Sequence, residues 1–319
     1  MSSIKPQLAE DAVLDKVVFP CGGQPKIDGV RAMNLNGTLT GRSLDPFEGF
    51  GITDYFSKPE FQGLDGEMIL GNDPASPDRL CSLTTGAMGR FKGVTEMADL
   101  HWWLFDAVTP TTLSMPYEDR YHLLKNFLGR REHPHPRLHL VPLTIINNPE
   151  ELKVFIGNNY EMGYEGTIIR NLKAPYKEGR ATLKGQEIWR VKPWADSEML
   201  VTGITEGDKN ENEAKKNTLG RTERSSAKAG KVPNGQVGSI QGIMLKDFHD
   251  PITGKLLFPK DLPITIGTGK MKEKEAKHYF ENPSELVNHI VKFQHMTHGV
   301  KDLPRFGGYL SHRLPQDLS

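Results

Sequence analysis

The run Lys26-Ile-Asp28-Gly29-Val-Arg31, preceded by Gln24-Pro25, is the sharpest local signal in the chain. A lysine attacks phosphorus only as the neutral amine, so a nucleophilic Lys26 needs burial or neighbouring cations to lower its pKa. At a strand end beside a glycine, the backbone can approach a nucleotide closely. Asp28, two residues on, shares the strand face of Lys26, and Arg31 is placed to meet phosphate or ribose. The plainer reading is an exposed hairpin start, because K-x-D-G matches arise by accident.

Four further clusters bear on the choice. Leu64-Asp65-Gly66-Glu67 puts a carboxylate after a glycine, suited to a ribose hydroxyl or a metal. Trp103-Leu-Phe105-Asp106 offers an aromatic at a strand end, where a purine stacks for about 1–3 kcal/mol. Glu165-Gly166 sets a carboxylate before the apolar run Thr-Ile-Ile. Trp189-Arg190-Val-Lys192-Pro alternates two cations on one strand face, a geometry suited to phosphate. Singly, Glu67 and Glu165 read as solvated turn acids and Phe105 as a core aromatic. Arg190 and Lys192 alone read as a charged edge that discourages aggregation. The joint order along the chain favours chemistry.

Strands and helices must position these groups. Asn36-Gly37 between Arg31–Leu35 and Thr38–Thr40 predicts a hairpin with a type I′ turn. Strands are expected over 64–70, 101–108, 167–170 and 187–192. Leu123, Leu124, Phe127 and Leu128 recur at helical spacing within 117–128. Asn148-Pro149-Glu150-Glu151 is a helix start with a capping side chain, a proline in the first turn and acids facing the dipole. Beyond Trp194 the pattern changes to short strands near 200–205, 239–245, 264–267 and 291–294 with one helix over 272–280. That content suits a small barrel such as an OB-fold. Between Glu206 and Gly235 the chain is polar and lacks apolar periodicity, which predicts a solvated loop.

The 319 residues suffice for two domains, and 37% apolar content is ample for a core. No run of 18 or more apolar residues predicts a membrane helix, and the first residues lack a signal-peptide core. Cytoplasm is expected, or host cytoplasm for a viral or phage source. Cys21 and Cys81 stand outside any metal-ligand spacing and suit a reducing compartment. Lys+Arg and Asp+Glu balance at 40 each, so any nucleic-acid footprint must be local. Between Ala214 and Lys231 the cations Lys215, Lys216, Arg221, Arg224, Lys228 and Lys231 face one acid, Glu223.

The motif order resembles that of the covalent nucleotidyltransferases, which comprise DNA ligases, RNA ligases and mRNA capping enzymes. Lys26 to Arg31 resembles their first motif, Asp65 to Glu67 the third and Phe105-Asp106 the aromatic motif that follows. Glu165-Gly166 resembles the fourth and Arg190 to Lys192 the fifth, where Arg190 stands at a position usually held by lysine. Gly41-Arg42-Ser43 with Pro46 resembles the arginine motif of DNA ligases. Gly238-Ser-Ile, Ile266-Gly-Thr-Gly269 and Pro304-Arg305-Phe306, Tyr309 and Arg313 resemble the OB domain and terminal motif of ATP-dependent DNA ligases. Thr182-Leu-Lys184 and Gly220 to Val232 look most like minimal ligases of large algal viruses and phages, in which the OB insertion is a latch round the duplex.

The resemblance implies an α+β chain, with an ATP-grasp-like nucleotidyltransferase domain over 1–194 and an OB-fold barrel over 195–319 carrying a latch at about 206–236. It implies a monomer sealing nicks in duplex DNA with ATP and Mg²⁺, for which Mn²⁺ substitutes, away from any membrane. AMP would be carried on Lys26. Gln24, with Pro25 beside it, would read the adenine edge, Phe105 would stack on the base, and Arg31 and Glu67 would hold the ribose side. Glu165 with Asp28 would engage the metal, and Lys192 with Arg190 the α-phosphate. Arg42 would contact the nick phosphate, while Arg305 and Arg313 would orient pyrophosphate. A hinge at 193–198 would let the second domain swing. An NAD⁺-dependent ligase is disfavoured, because its nicotinamide-binding domain lies upstream of the lysine and 25 residues precede Lys26 here. An RNA ligase and a capping guanylyltransferase are the enzymatic alternatives, and a silent nucleic-acid binder is the non-enzymatic one.

Overall fold

The computed structural model describes residues 4–47, 55–75, 80–90, 99–129, 135–250, 254–300 and 303–313. Contacts divide the chain into Met1–Lys192 with Asn217–Arg221, and Pro193–Lys216 with Thr222–Ser319.

In the first unit the described strands are β1 (Gln7–Leu8), β2 (Glu10–Asp11), β3 (Cys21–Lys26), β4 (Val30–Leu35), β5 (Thr38–Thr40) and β6 (Leu64–Leu70). They continue with β7 (Leu100–Ala107), β8 (Leu138–Leu140), β9 (Thr144–Ile146), β10 (Gly166–Arg170), β11 (Gly179–Arg180) and β12 (Ile188–Val191). The helices are α1 (Leu80–Arg90), α2 (Tyr117–Leu128) and α3 (Pro149–Glu161). Among the described residues, two five-stranded sheets run in the orders β2-β12-β10-β3-β9 and β5-β4-β6-β7-β8.

Side-chain alternation with period two explains what each sheet presents. In the first sheet Cys21, Ile169 and Trp189 pack with Ile146 and with Leu152 of α3, which leaves Gln24, Lys26, Arg170 and Arg190 on the opposite face. In the second, Ala32, Met68, Trp102 and Leu104 join Phe56, Phe61 and Leu124 of α2 in the largest core of the unit. Burying each such large side chain contributes about 1.5–3 kcal/mol. Arg31, Asp65, Glu67, Trp103 and Phe105 therefore share the other face. Local signals hold where predicted. Asn36 and Gly37 adopt φ of 54° and 79°, the left-handed pair that a type I′ turn requires. Asn148 caps α3, its side chain accepting from Glu151 N at 2.9 Å.

The second unit contains β13 (Trp194–Asn210), β14 (Ala214–Lys216), β15 (Thr222–Arg224), β16 (Lys231–Met244), β17 (Phe248–His249) and β18 (Leu256–Phe258). After β19 (Pro263–Gly267) come α4 (Glu273–Glu281), β20 (Ile290–Val300) and β21 (Leu303–His312). Five strands close a barrel in the order β13-β16-β19-β21-β20. Counted within the barrel this is first, second, third, fifth, fourth, with β19 and β21 parallel at Gly267 and Gly308. Met199, Val201, Ile240, Val291 and Phe293 fill its interior.

Two expectations need correction. Residues 206–236 are not an irregular loop. β13 runs for 17 residues and stays paired with β16 through Asp208 with Pro233 and Asn210 with Lys231, and β14 with β15 extends the ribbon. The ribbon is exposed on both faces, so its strands carry no apolar alternation for a sequence reading to find. The segment expected as a hinge over 193–198 is also mostly strand. Trp194 to Glu198 lie within β13, paired with Met296 to Lys292 of β20, and between β12 and β13 only Lys192 and Pro193 remain.

Candidate active site

Lys26 ends β3 in register with Gly166 of β10. Glu165 N donates to Lys26 O at 3.0 Å, which fixes the Glu165 carboxylate beside the lysine side chain. Lys26 Nζ donates to Glu165 Oε2, and Lys192 Nζ donates to Glu165 Oε1 at 2.5 Å. The Glu165 side chain is only 6% exposed. Burial alone would raise its pKa, but Lys26 and Lys192 more than offset that and hold it below the ordinary carboxylate range. Gly166 is required here, because a Cβ on it would come within 2.2 Å of Val191 O. That close passage brings Lys192 to Glu165.

The second sheet supplies a complementary group. Arg31 grips the fully buried Asp65 through two hydrogen bonds of 2.6 Å, and its guanidinium lies 4.7 Å from the centre of the Phe105 ring. Burial raises the Asp65 pKa, yet arginine cannot shed its proton, so the fork is held as an ion pair. Gly29 lets β4 close on β6, since a Cβ there would meet Met68 O at 2.6 Å. Glu67 faces Arg31 in register. Burial pushes its pKa up to about 7, Arg31 and Lys26 pull it down, and Glu165 and Asp65 add to the rise.

Beneath these groups lies a polar network. Gln24 is 1% exposed, its carbonyl accepts from Tyr117 OH at 3.0 Å and Arg170 Nε at 3.2 Å, and its amide donates to Val141 O at 3.4 Å. Gln24, expected to read the adenine edge, is thus buried and braced by these partners. Tyr117 OH also lies 2.9 Å from Phe105 O. Arg170 stacks over the Tyr117 ring at 4.4 Å and the Phe105 ring at 5.3 Å. Asp106 takes a fork from Arg120 at 2.8 and 3.0 Å, all of it buried. Sequence reasoning missed Tyr117, Arg120 and Arg170 as members of the site. Arg170 was visible only as a cation closing the apolar run Thr-Ile-Ile.

Arg190 forks onto Asp11 at 2.7 and 3.2 Å instead of turning toward Glu165. Asp28 is half-buried between β3 and β4, and among the described residues no group of three or more His, Cys, Asp or Glu could hold a metal. Pro25 is buried within β3, and Arg42 is exposed in the turn after β5. In the second unit Arg305 lies 4.7 Å over the Phe306 ring, and Arg313 donates to Glu198 at 2.7 Å. Lys215, Lys216, Arg221, Arg224, Lys228 and Lys231 are all exposed.

Comparison with known proteins decides the family. The ATP dependent DNA ligase domain matches residues 11–192, more than half of the chain. The chain belongs to the ATP-dependent DNA ligase family. A DNA ligase of African swine fever virus is 28% identical over 146 residues, which is 46% of this chain and 32% of that protein. The chain thus spans about a third of the length of that curated relative. The solved Chlorella virus DNA ligase-adenylate is 26% identical with a TM-score of 0.52, covering 98% of both chains. A Lig E DNA ligase structure shares the fold at a TM-score of 0.64 and 19% identity, over 96% of this chain and 98% of that one. The ligase chain therefore has an α+β architecture, a nucleotidyltransferase domain followed by an OB-fold β-barrel domain. Membership of this family implies ATP as the nucleotide. No helix of the described residues is long and apolar enough to cross a membrane.

Proposed function

We propose that this protein seals 3′-hydroxyl/5′-phosphate nicks in duplex DNA, using ATP and a covalent AMP carried on Lys26. The observation that carries the reading is the placement of Lys26 and Lys192 on the two oxygens of one buried carboxylate, Glu165. A nucleophilic amine and a second cation are thereby held on one anion, whose place a phosphate can take.

In the first step the neutral amine of Lys26 attacks the α-phosphorus of ATP. A P–N bond forms, the bond from the α-phosphorus to the bridging oxygen breaks, pyrophosphate leaves with that electron pair, and the attacking nitrogen gives up one proton to solvent. AMP then passes to the 5′-phosphate at the nick, and the 3′-hydroxyl displaces it. These are in-line phosphoryl transfers, so the protein chiefly positions groups and neutralises charge. Lys192 turns from Glu165 to the α-phosphate, Phe105 stacks on the base, and Arg31 with Glu67 holds the ribose side. Gln24 braces Phe105 through Tyr117 and keeps Arg170 in place. Glu165 and Asp28 offer hard oxygens that fit Mg²⁺, whose usual protein share is one or two carboxylates completed by substrate phosphates and water. Bound there, the ion would neutralise phosphate charge. Arg42 and the exposed cations of the β14–β15 ribbon contact DNA phosphates.

The test is incubation with α-labelled ATP and Mg²⁺, then with a singly nicked duplex, on denaturing gels. A labelled protein band that decays as a joined strand grows is expected. Lys26→Ala should carry no label, and label persisting at the wild-type level rules out this nucleophile.

A further inference from the structure

β12 runs between β2 and β10 in the first sheet; Arg190 lies on it, and Lys192 stands two residues on, just past its end. The two cations lean in opposite directions. Lys192 reaches Glu165, just ahead of β10, while Arg190 reaches outward to Asp11 on the edge strand β2. Asp11 is in parallel register with Arg190, and Ala12 N donates to Arg190 O at 2.9 Å. The fork is therefore fixed by both main chain and side chain.

We infer that Asp11 is an affinity-setting residue: it holds the Arg190 guanidinium away from the Glu165–Lys192 side and so weakens the grip on the phosphates of ATP. The inference rests on reading Lys26, Glu165 and Lys192 as the phosphate site. Asp11 takes the Nε–Nη2 edge of the guanidinium, so while that fork holds, Arg190 is turned toward β2 and has only its outer edge left for a phosphate. A lysine at this position would exchange partners readily, being a compact charge with three rotatable donors. Arginine held by a matched carboxylate does so less readily. The Asp11 side chain is 66% exposed, so the pair adds little to folding. Its loss should therefore register in nucleotide binding and leave stability alone.

The experiment compares wild type, Asp11→Asn, Arg190→Met and the double variant in initial rates of Lys26 labelling across ATP concentrations. Thermal denaturation of each accompanies the rates. Asp11→Asn should lower the KM for ATP about two- to fivefold, the range of an exposed ion pair, with kcat and melting temperature unchanged. In the Arg190→Met background the same substitution should have no effect. An unchanged or raised KM overturns the inference, as does an equal drop without Arg190. Calorimetric titration with ATP in a Lys26→Ala background reads the same difference without turnover. Should wild type fail to label, the functional reading falls, while tighter calorimetric binding by Asp11→Asn would still support the role of Asp11.

Discussion

Glu67→Gln isolates one titration while keeping the shape of the side chain. In the folded chain burial pushes the Glu67 pKa from an ordinary 4.5 up to about 7. The sign follows from linkage. An acid whose folded pKa is raised holds its proton more tightly when folded, so charging it opposes folding. The cost is absent below about pH 4.5, grows through the window between the two values and is complete above about pH 7. The gap corresponds to at most about 3 kcal/mol, and between about pH 5.5 and about pH 8 the change is about 2 kcal/mol. Glutamine has no such window. Urea unfolding followed by tryptophan fluorescence suits the measurement, since Trp102, Trp103 and Trp189 all lie in the first unit. The stability of the variant relative to wild type should rise by about 2 kcal/mol on going from the lower to the higher pH. A constant offset between the two proteins would refute the reasoning, because an offset reflects altered contacts with Arg31 and not a titration. A difference that shrinks with rising pH would refute its sign.

Asp106→Ala leaves Arg120 buried without its carboxylate, and denaturation of the first unit should show a loss of about 3–5 kcal/mol. A loss below about 1 kcal/mol would mean the fork relaxes to solvent. Deleting residues 208–234 removes the outboard ribbon and leaves Gly207 to meet Gly235, beyond the barrel pairs of Thr205 with Ser239 and Glu206 with Val237. Self-adenylylation should stay near the wild-type level while nick binding in gel shifts falls sharply, and equal loss in both assays would argue against a DNA-gripping ribbon.

Much of this arrangement was legible from residue types alone, for physical reasons that also mark the limits. Asn36-Gly37 announces its turn because few residues tolerate two successive left-handed conformations. The start of α3 is readable because cap, proline and acids all answer local needs of a helix end. Lys26, Glu67, Phe105, Glu165 and Lys192 stood out as reactive types punctuating apolar strands. The buried network did not, because its members are distant in sequence: Gln24 meets Arg170 and Tyr117 only once β10 and α2 pack. Nothing local to Arg190 announces that its fork belongs to Asp11, 179 residues away. The ribbon over 206–236 resembles a loop in sequence because strands wet on both faces carry no apolar period. Main-chain pairing across β13 and β16, invisible in side-chain types, makes it regular.

The two lysines that share Glu165 already possess an internal counter-ion, so half of their charge is cancelled before any nucleotide enters. Phosphates arriving there replace one protein anion by another and displace few ions from solvent. The exposed cations of the ribbon have no such partner built into a core, and a duplex seated on them releases condensed counter-ions to the bulk. Added salt should therefore act as a scalpel. Charging of the protein with AMP should decline gently with ionic strength, while engagement of the nick should fall steeply.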